Sequence, residues 1–152
     1  MSYNVEFKVK VEGAPGYVPV GYGIANVTWN AREIIVRSTG LPWVNEANNG
    51  LCSEIMPKIQ TGLEELRLHP EKYKPYESPN GWGSVAGTKR FFQALIDEWN
   101  FLVAANPELA AVATFWIAER RQTLEHQFRR KPPFRSRPLP VLRAGILEKL
   151  AQ

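Results

Sequence analysis

The sequence is poor in the residues from which metal sites, disulfides and nucleophilic triads are built. It contains one cysteine, Cys52, and two histidines, His69 and His126. A single cysteine excludes an intramolecular disulfide and is typical of proteins from a reducing compartment. The two histidines lie far from Cys52 in the sequence, so they do not form the ligand cluster that a zinc site requires. We therefore predict no metal site and no cofactor.

The sequence also lacks any long apolar run. No stretch of about 18 apolar residues is present, which is the length needed to cross a bilayer as a helix. The first ten residues, MSYNVEFKVK, alternate charged and apolar side chains, unlike a signal peptide. We therefore expect no membrane partner and a cytoplasmic location.

No glycine-containing stretch matches a phosphate-binding fingerprint. Residues 83–89, GSVAGTK, lack the G-K-[ST] order of a P-loop, and the GYGIAN stretch at 21–26 lacks the third glycine of the dinucleotide pattern. Cys52 at a predicted helix start, with His69 as a base, would be the nucleophile of a small hydrolase, but free cysteines are commonly buried and inert. We predict that the protein is not an enzyme, and keep a small hydrolase as an alternative.

Alternating apolar residues predict an N-terminal β-hairpin. One face of the first strand carries Tyr3, Val5, Phe7, Val9 and Val11. A second strand is expected from Val18 to about Thr28, and Pro19 suits an edge position. A two-stranded hairpin alone is only marginally stable in water, so helices or a partner's strand must cover its apolar face.

Apolar stripes at helical spacing predict helices over 53–68 and 85–105, preceded by the possible caps Ser53 and Ser84. Asn30 is expected to cap a short helix that stops at Gly40. Asn106 followed by Pro107 is expected to open another helix, which would continue into the basic region. Its predicted inward residues are Leu109, Val112, Ala113, Trp116 and Ile117.

These elements predict an α+β fold in which the N-terminal β-hairpin packs against a small bundle of three to five helices. Residues 1–131 are expected to form one domain. Residues 132–152 are expected to form a proline-rich basic extension with a short C-terminal helix. The exposed hairpin edge and this amphipathic helix favour a homo-oligomer.

Positive charge is concentrated at the C-terminal end of the chain. Residues 120–152 contain nine Lys/Arg against two Asp/Glu, whereas residues 1–119 contain ten against thirteen. One interpretation is a solvated tail; the other is a segment that contacts phosphates and stacks bases, or binds a host protein. The candidate partner-binding residues are Arg129, Arg130, Lys131, Phe134, Arg135 and Arg137.

The loop KYKPYESPNGWGS at residues 72–84 combines three aromatics, two prolines and two glycines. It is either a structural corner between two helices or a ligand site. As a ligand site, it would hold an anion at the amides of the following helix start, with an aromatic ring stacked on a base. The candidate ligand-binding residues are Tyr76, Asn80, Trp82, Gly83, Ser84, Thr88, Lys89 and Arg90.

The YESPNGWG stretch, preceded by HPEKYK and following the NVTWN stretch at 26–30, resembles small bacteriophage and prophage proteins of unknown function. Those proteins share an N-terminal hairpin and an N-G-W-G loop, and the resemblance covers roughly residues 3–100. It implies an accessory phage product that acts in the cytoplasm of the bacterial host.

Three functions are consistent with these observations. The first is a non-enzymatic accessory protein that sequesters a small anionic nucleotide-like ligand to counter host defence. The second is a regulator or inhibitor that binds a host protein or nucleic acid through the basic C-terminal segment. The third is the small hydrolase.

Overall fold

A computed structural model describes residues 1–21, 25–43 and 48–120. Within these ranges no helix is long and apolar enough to cross a membrane. The basic partner-binding residues 129–137, the short C-terminal helix and the domain boundary at residue 131 lie outside the described residues, so the predictions about them stay predictions.

The described strands form one antiparallel sheet. In chain order they are β1 (Ser2–Lys10), β2 (Tyr17–Pro19), β3 (Ala25–Thr28), β4 (Asn48–Leu51) and β5 (Thr114–Arg120). β1 pairs with β5 along one edge, and with β2 and β3 along the other. β4 pairs with the far edge of β5. The predicted second strand is therefore two short segments, β2 and β3, on the same side of β1.

Helices cover one face of this sheet. They are α1 (Arg32–Thr39), α2 (Cys52–Leu68), α3 (Pro70–Tyr73), α4 (Val85–Ala105) and α5 (Pro107–Val112). The core contains the apolar residues of β1 predicted to face inward, namely Tyr3, Val5, Phe7 and Val9. The α+β fold class, with strands at the N-terminus and a small group of helices, is confirmed.

Three of the predicted helix ends are confirmed by their hydrogen bonds or dihedral angles. Ser84 Oγ accepts a hydrogen bond from the Gly87 N–H at 3.0 Å, and Asn106 Oδ1 accepts one from the Leu109 N–H at 3.1 Å. Gly40 ends α1 with φ of 71°, a conformation that favours glycine. The caps predicted at Asn30 and Ser53 are wrong, because a short 3-10 turn (Trp29–Ala31) precedes α1 and α2 begins at Cys52.

The long helix predicted from Pro107 into the basic region is wrong. α5 ends at Val112, and the chain becomes extended at Ala113. β5 then pairs with β1 over seven residue pairs, with Phe7 opposite Phe115. Phe115 and Ile117 are buried, whereas Trp116 lies on the opposite face with Lys8 at 4.8 Å from its ring centre.

Three apolar positions predicted to face the core are exposed. They are Val11, which follows the end of β1, Val103, near the end of α4, and Val112, at the end of α5. Trp99 is partly buried and packs its ring against the edge of Phe7, with 6.0 Å between ring centres. The helix face predicted for α4 therefore holds through Leu102, which is buried, and fails at Val103.

Candidate functional site

The start of the 72–84 loop is a structural corner. Tyr73 is buried, and its hydroxyl donates a hydrogen bond to Glu65 Oε1 at 2.9 Å. Lys72 Nζ lies 3.1 Å from the same oxygen. Hydrogen bonds from Lys72 and then Tyr73 hold the pKa of Glu65 below its usual value. These contacts fasten the loop to α2.

Two of the predicted ligand-binding residues stabilise the loop itself. Arg37 of α1 stacks over the Tyr76 ring at 4.2 Å from the ring centre. Asn80 Oδ1 accepts a hydrogen bond from the Trp82 N–H at 3.0 Å, which closes a tight Asx turn. Tyr76 and Asn80 therefore have local partners within the protein.

The start of α4 is capped by groups of this chain. Glu77 Oε1 accepts a hydrogen bond from the Val85 N–H at 2.8 Å, and Ser84 Oγ accepts one from the Gly87 N–H. A carboxylate is a favourable group at this position, because the helix start carries partial positive charge. An external anion would therefore be bound by side chains more than by these amides.

Gly83 brings the loop into contact with the turn that follows β3. Its φ is 80°, and a Cβ at this position would lie 2.5 Å from the backbone carbonyl carbon of Asn30. Only glycine allows both this conformation and this approach. The contact holds the start of α4 beside β3.

A groove of about 650 Å³ lies between β3 and the N-terminal half of α4. β3 contributes all four of its residues, and α4 contributes one face that includes Gly87, Phe91 and Ala94. Five of the predicted ligand-binding residues line this groove: Trp82, Gly83, Ser84, Thr88 and Arg90. Tyr76, Asn80 and Lys89 do not.

Trp82 and Arg90 are the two lining side chains best placed for a ligand. Trp82 is 67% exposed, although it is large and aromatic. Arg90 is the one charged residue among those that line the groove, and it forms no ion pair with any residue that the structure describes. Thr88 is buried and donates its hydroxyl to the Ser84 carbonyl at 2.9 Å, so it supports the wall.

Sequence reasoning missed the β3 wall of the groove. Asn26 and Thr28 belong to the NVTWN stretch, which entered only as the end of the predicted second strand and as part of the resemblance to phage proteins. They lie far from Trp82 and Arg90 in the chain, and no local pattern in a single sequence reports that distant segments meet. The weak signal that existed was the edge-strand character of this segment.

The hydrolase alternative is not supported at Cys52. The thiol is fully buried, and burial raises its pKa to about 12, with a further increase from the negative charge of Glu98. A thiol of this kind stays protonated and is a poor nucleophile. Among the described residues, no three His, Cys, Asp or Glu side chains lie close enough together to hold a metal ion.

The groove has to be interpreted from its own geometry. No protein-family model, curated protein or solved structure matches this chain.

Proposed function

We propose that this protein is a non-enzymatic binding protein and that the groove between β3 and α4 is its ligand site. The observation that carries this proposal is that the exposed ring of Trp82 and the charged Arg90 line the same concave surface. Exposed aromatic residues in a concave site with a few polar groups are typical of binding sites.

The charge of the groove favours an anionic ligand. Arg90 supplies the positive charge, and Ser84 supplies a hydroxyl group. Guanidinium groups pair well with carboxylates and phosphates. The volume of about 650 Å³ also lies in the usual range of ligand pockets, roughly 300–1,000 Å³.

A small nucleotide-like ligand is one occupant of this kind. Its base would stack on Trp82 and its phosphate would pair with Arg90. Glu77 weighs against this ligand, because its carboxylate already occupies the amide at the start of α4 that a phosphate would use. The role in countering host defence, the phage origin, the homo-oligomer and the partner of the basic segment 129–137 all stay predictions.

The proposal is tested by comparing ligand binding in two charge variants. Arg90→Ala removes the charge from the groove, and Lys89→Ala removes the same charge from the neighbouring helical position, which does not line the groove. A third variant, Ala94→Trp, fills the groove with a large side chain. The ligands are mono-, di- and cyclic nucleotides, measured by thermal shift, and peptides selected from a display library against the wild type.

A true groove ligand raises the melting temperature of the wild type and of Lys89→Ala by mass action. It binds Arg90→Ala more weakly, by about tenfold to a hundredfold, as expected for a hydrogen bond to a charged group. It fails to bind Ala94→Trp. If every ligand from both sets binds the three variants as well as the wild type, the groove is not the site and the proposal is wrong.

A further inference from the structure

β3 turns half of its backbone groups away from its neighbour β1. Trp29 N–H donates to the Met1 carbonyl at 3.2 Å, one residue beyond the pair Ser2–Thr28. Hydrogen-bonded and non-hydrogen-bonded pairs alternate in an antiparallel ladder. Thr28 and Asn26 are therefore in non-hydrogen-bonded pairs, and their backbone N–H and C=O groups point away from β1.

The segment around β2, which lies on the same side of β1 as β3, supports this direction of the β3 backbone groups. Val20 N–H donates to the Phe7 carbonyl at 2.8 Å, so the odd-numbered residues of β1 bond toward β2 and β3. In the part of the chain that the structure describes, β3 has no second strand partner. No hydrogen bond within that part engages the outward N–H groups of Asn26 and Thr28. An open edge with unpaired groups at alternate residues is a template for another strand.

The second wall of the groove carries small side chains. This wall is α4, where Gly87 and Ala94 present little or no side chain. The apolar residues of the groove include Val27, Ala31 and Phe91, which are all buried in the core. Small residues on the facing helix reduce the steric obstacle to a strand added alongside β3.

We propose that the occupant of the groove is an extended peptide segment of a partner protein, which adds to β3 as a further strand and places a carboxylate beside Arg90. This inference rests on the proposed function and names the ligand of the same site. Strand addition gives affinity through backbone hydrogen bonds, and specificity through the side chains that alternate along the added strand.

The spacing of the open groups favours a peptide over a nucleotide. Asn26 and Thr28 are two residues apart, and this is the interval at which the backbone groups of one edge of a strand repeat. A peptide offers a carbonyl and an N–H at that interval. One side of the peptide would contact the apolar wall at Val27 and Phe91. Small apolar residues of the peptide should therefore alternate with polar ones. An Asp, a Glu or the C-terminal carboxylate of the peptide should face Arg90.

Thr28→Pro separates strand addition from other modes of binding. Thr28 has φ of −65° and ψ of 146°, which a proline adopts without strain. Because Thr28 is in a non-hydrogen-bonded pair with Ser2, the proline removes only the outward N–H and no bond to β1. Thr28→Val is the matched control, since it loses the hydroxyl but keeps the N–H.

The experiment selects peptides from a display library on the full chain and measures their Kd by titration on the wild type and both variants. Selected peptides should alternate apolar and polar residues, carry a carboxylate, and bind Thr28→Val like the wild type. Thr28→Pro should weaken binding by about threefold to tenfold or more, the value of one backbone hydrogen bond. Thermal denaturation of Thr28→Pro confirms that the variant is folded.

Other outcomes overturn the inference and are distinguishable from failure of the proposed function. If nucleotides bind in an Arg90-dependent manner and no peptide does, the site stands and the strand partner is wrong. Equal peptide binding by Thr28→Pro and Thr28→Val also rejects strand addition. If the chain dimerises and Thr28→Pro abolishes the dimer without affecting any peptide, the occupant is a second copy. Absence of any Arg90-dependent ligand rejects both proposals.

Discussion

The carboxylate of Glu77 accepts a hydrogen bond from the backbone N–H of Val85 at 2.8 Å, which joins the 72–84 loop to the first residue of α4. The loop is thus a structural corner at its start, where Tyr73 is buried. At its end it forms part of the groove, where Trp82 is exposed. The start of the loop is therefore a corner, and its end lines the groove that we propose as a ligand site.

Glu77→Ala should lower the free energy of unfolding by about 1 kcal/mol, as for loss of a helix cap. Glu71→Ala is the control, because Glu71 is an exposed carboxylate in the same region whose ion pair among the described residues is a surface pair with Lys74. Urea denaturation of both variants measures the difference. Equal stabilities would show that the Glu77–Val85 hydrogen bond contributes nothing.

Gly83→Ala should be much more destabilising than Gly81→Ala. Both glycines have φ near 80°, so each alanine costs about 1–2 kcal/mol from backbone strain. A Cβ at Gly83 would also collide with the backbone of Asn30, whereas nothing lies within 4 Å of one at Gly81. Crowding adds roughly 1–3 kcal/mol in tightly packed sites. Denaturation curves that coincide for the two variants would contradict the close approach of the loop to Asn30.

Trp43→Ala and Trp82→Ala should differ sharply in stability. Trp43 is 1% exposed and packs against Tyr3, Phe91 and Phe115, so its loss should cost about 3–5 kcal/mol. Trp82 is mostly exposed, so its loss should cost less than about 1 kcal/mol and should instead weaken ligand binding. A large loss of stability in Trp82→Ala would indicate that this ring is structural.

Cys52 should be unreactive in the folded protein. Burial raises the pKa of the thiol to about 12, so the protonated form is the stable one. Because the pKa of the folded state exceeds the ordinary value of 9.0, the neutral buried thiol contributes to the free energy of unfolding. That contribution is complete below pH 9 and is lost as the pH rises toward 12. Thiol-reagent kinetics at pH 8 should show labelling only on unfolding. The difference in unfolding free energy between wild type and Cys52→Ala should shrink above pH 9, and a constant difference would contradict the pKa.

The fold could be predicted from sequence where local patterns were unambiguous. The alternation in β1, the caps Ser84 and Asn106, and the glycine end of α1 were all readable from neighbouring residues. β5 was not, because Leu109, Val112, Ala113 and Trp116 have helical spacing, while the apolar run from Phe115 to Ile117 equally suits a buried strand. Pairing with the distant β1 selects the strand over the helix. One contact of this pairing is the hydrogen bond from Thr114 Oγ1 to the Lys8 carbonyl at 2.9 Å.

The candidate site was predicted only in part for the same reason. The sequence identified Trp82, Ser84 and Arg90, which lie around one helix start. It did not identify the open edge at Asn26 and Thr28, because which backbone groups of a strand face outward depends on its register with β1. Lys89 was included for its charge, yet α4 turns its neighbour Arg90 toward the groove.

The central claim is that the backbone of β3 offers an open edge to a ligand in the groove. Amide hydrogen exchange followed by NMR tests it most directly, because it reports each N–H separately. In the free protein, Val27, which is bonded to β1, should exchange slowly, while Asn26 and Thr28 should exchange much faster. A selected peptide should then slow exchange at Asn26 and Thr28 and leave Val27 little changed. If Asn26 and Thr28 are already as protected as Val27 in the free protein, the edge is not open and the account is wrong.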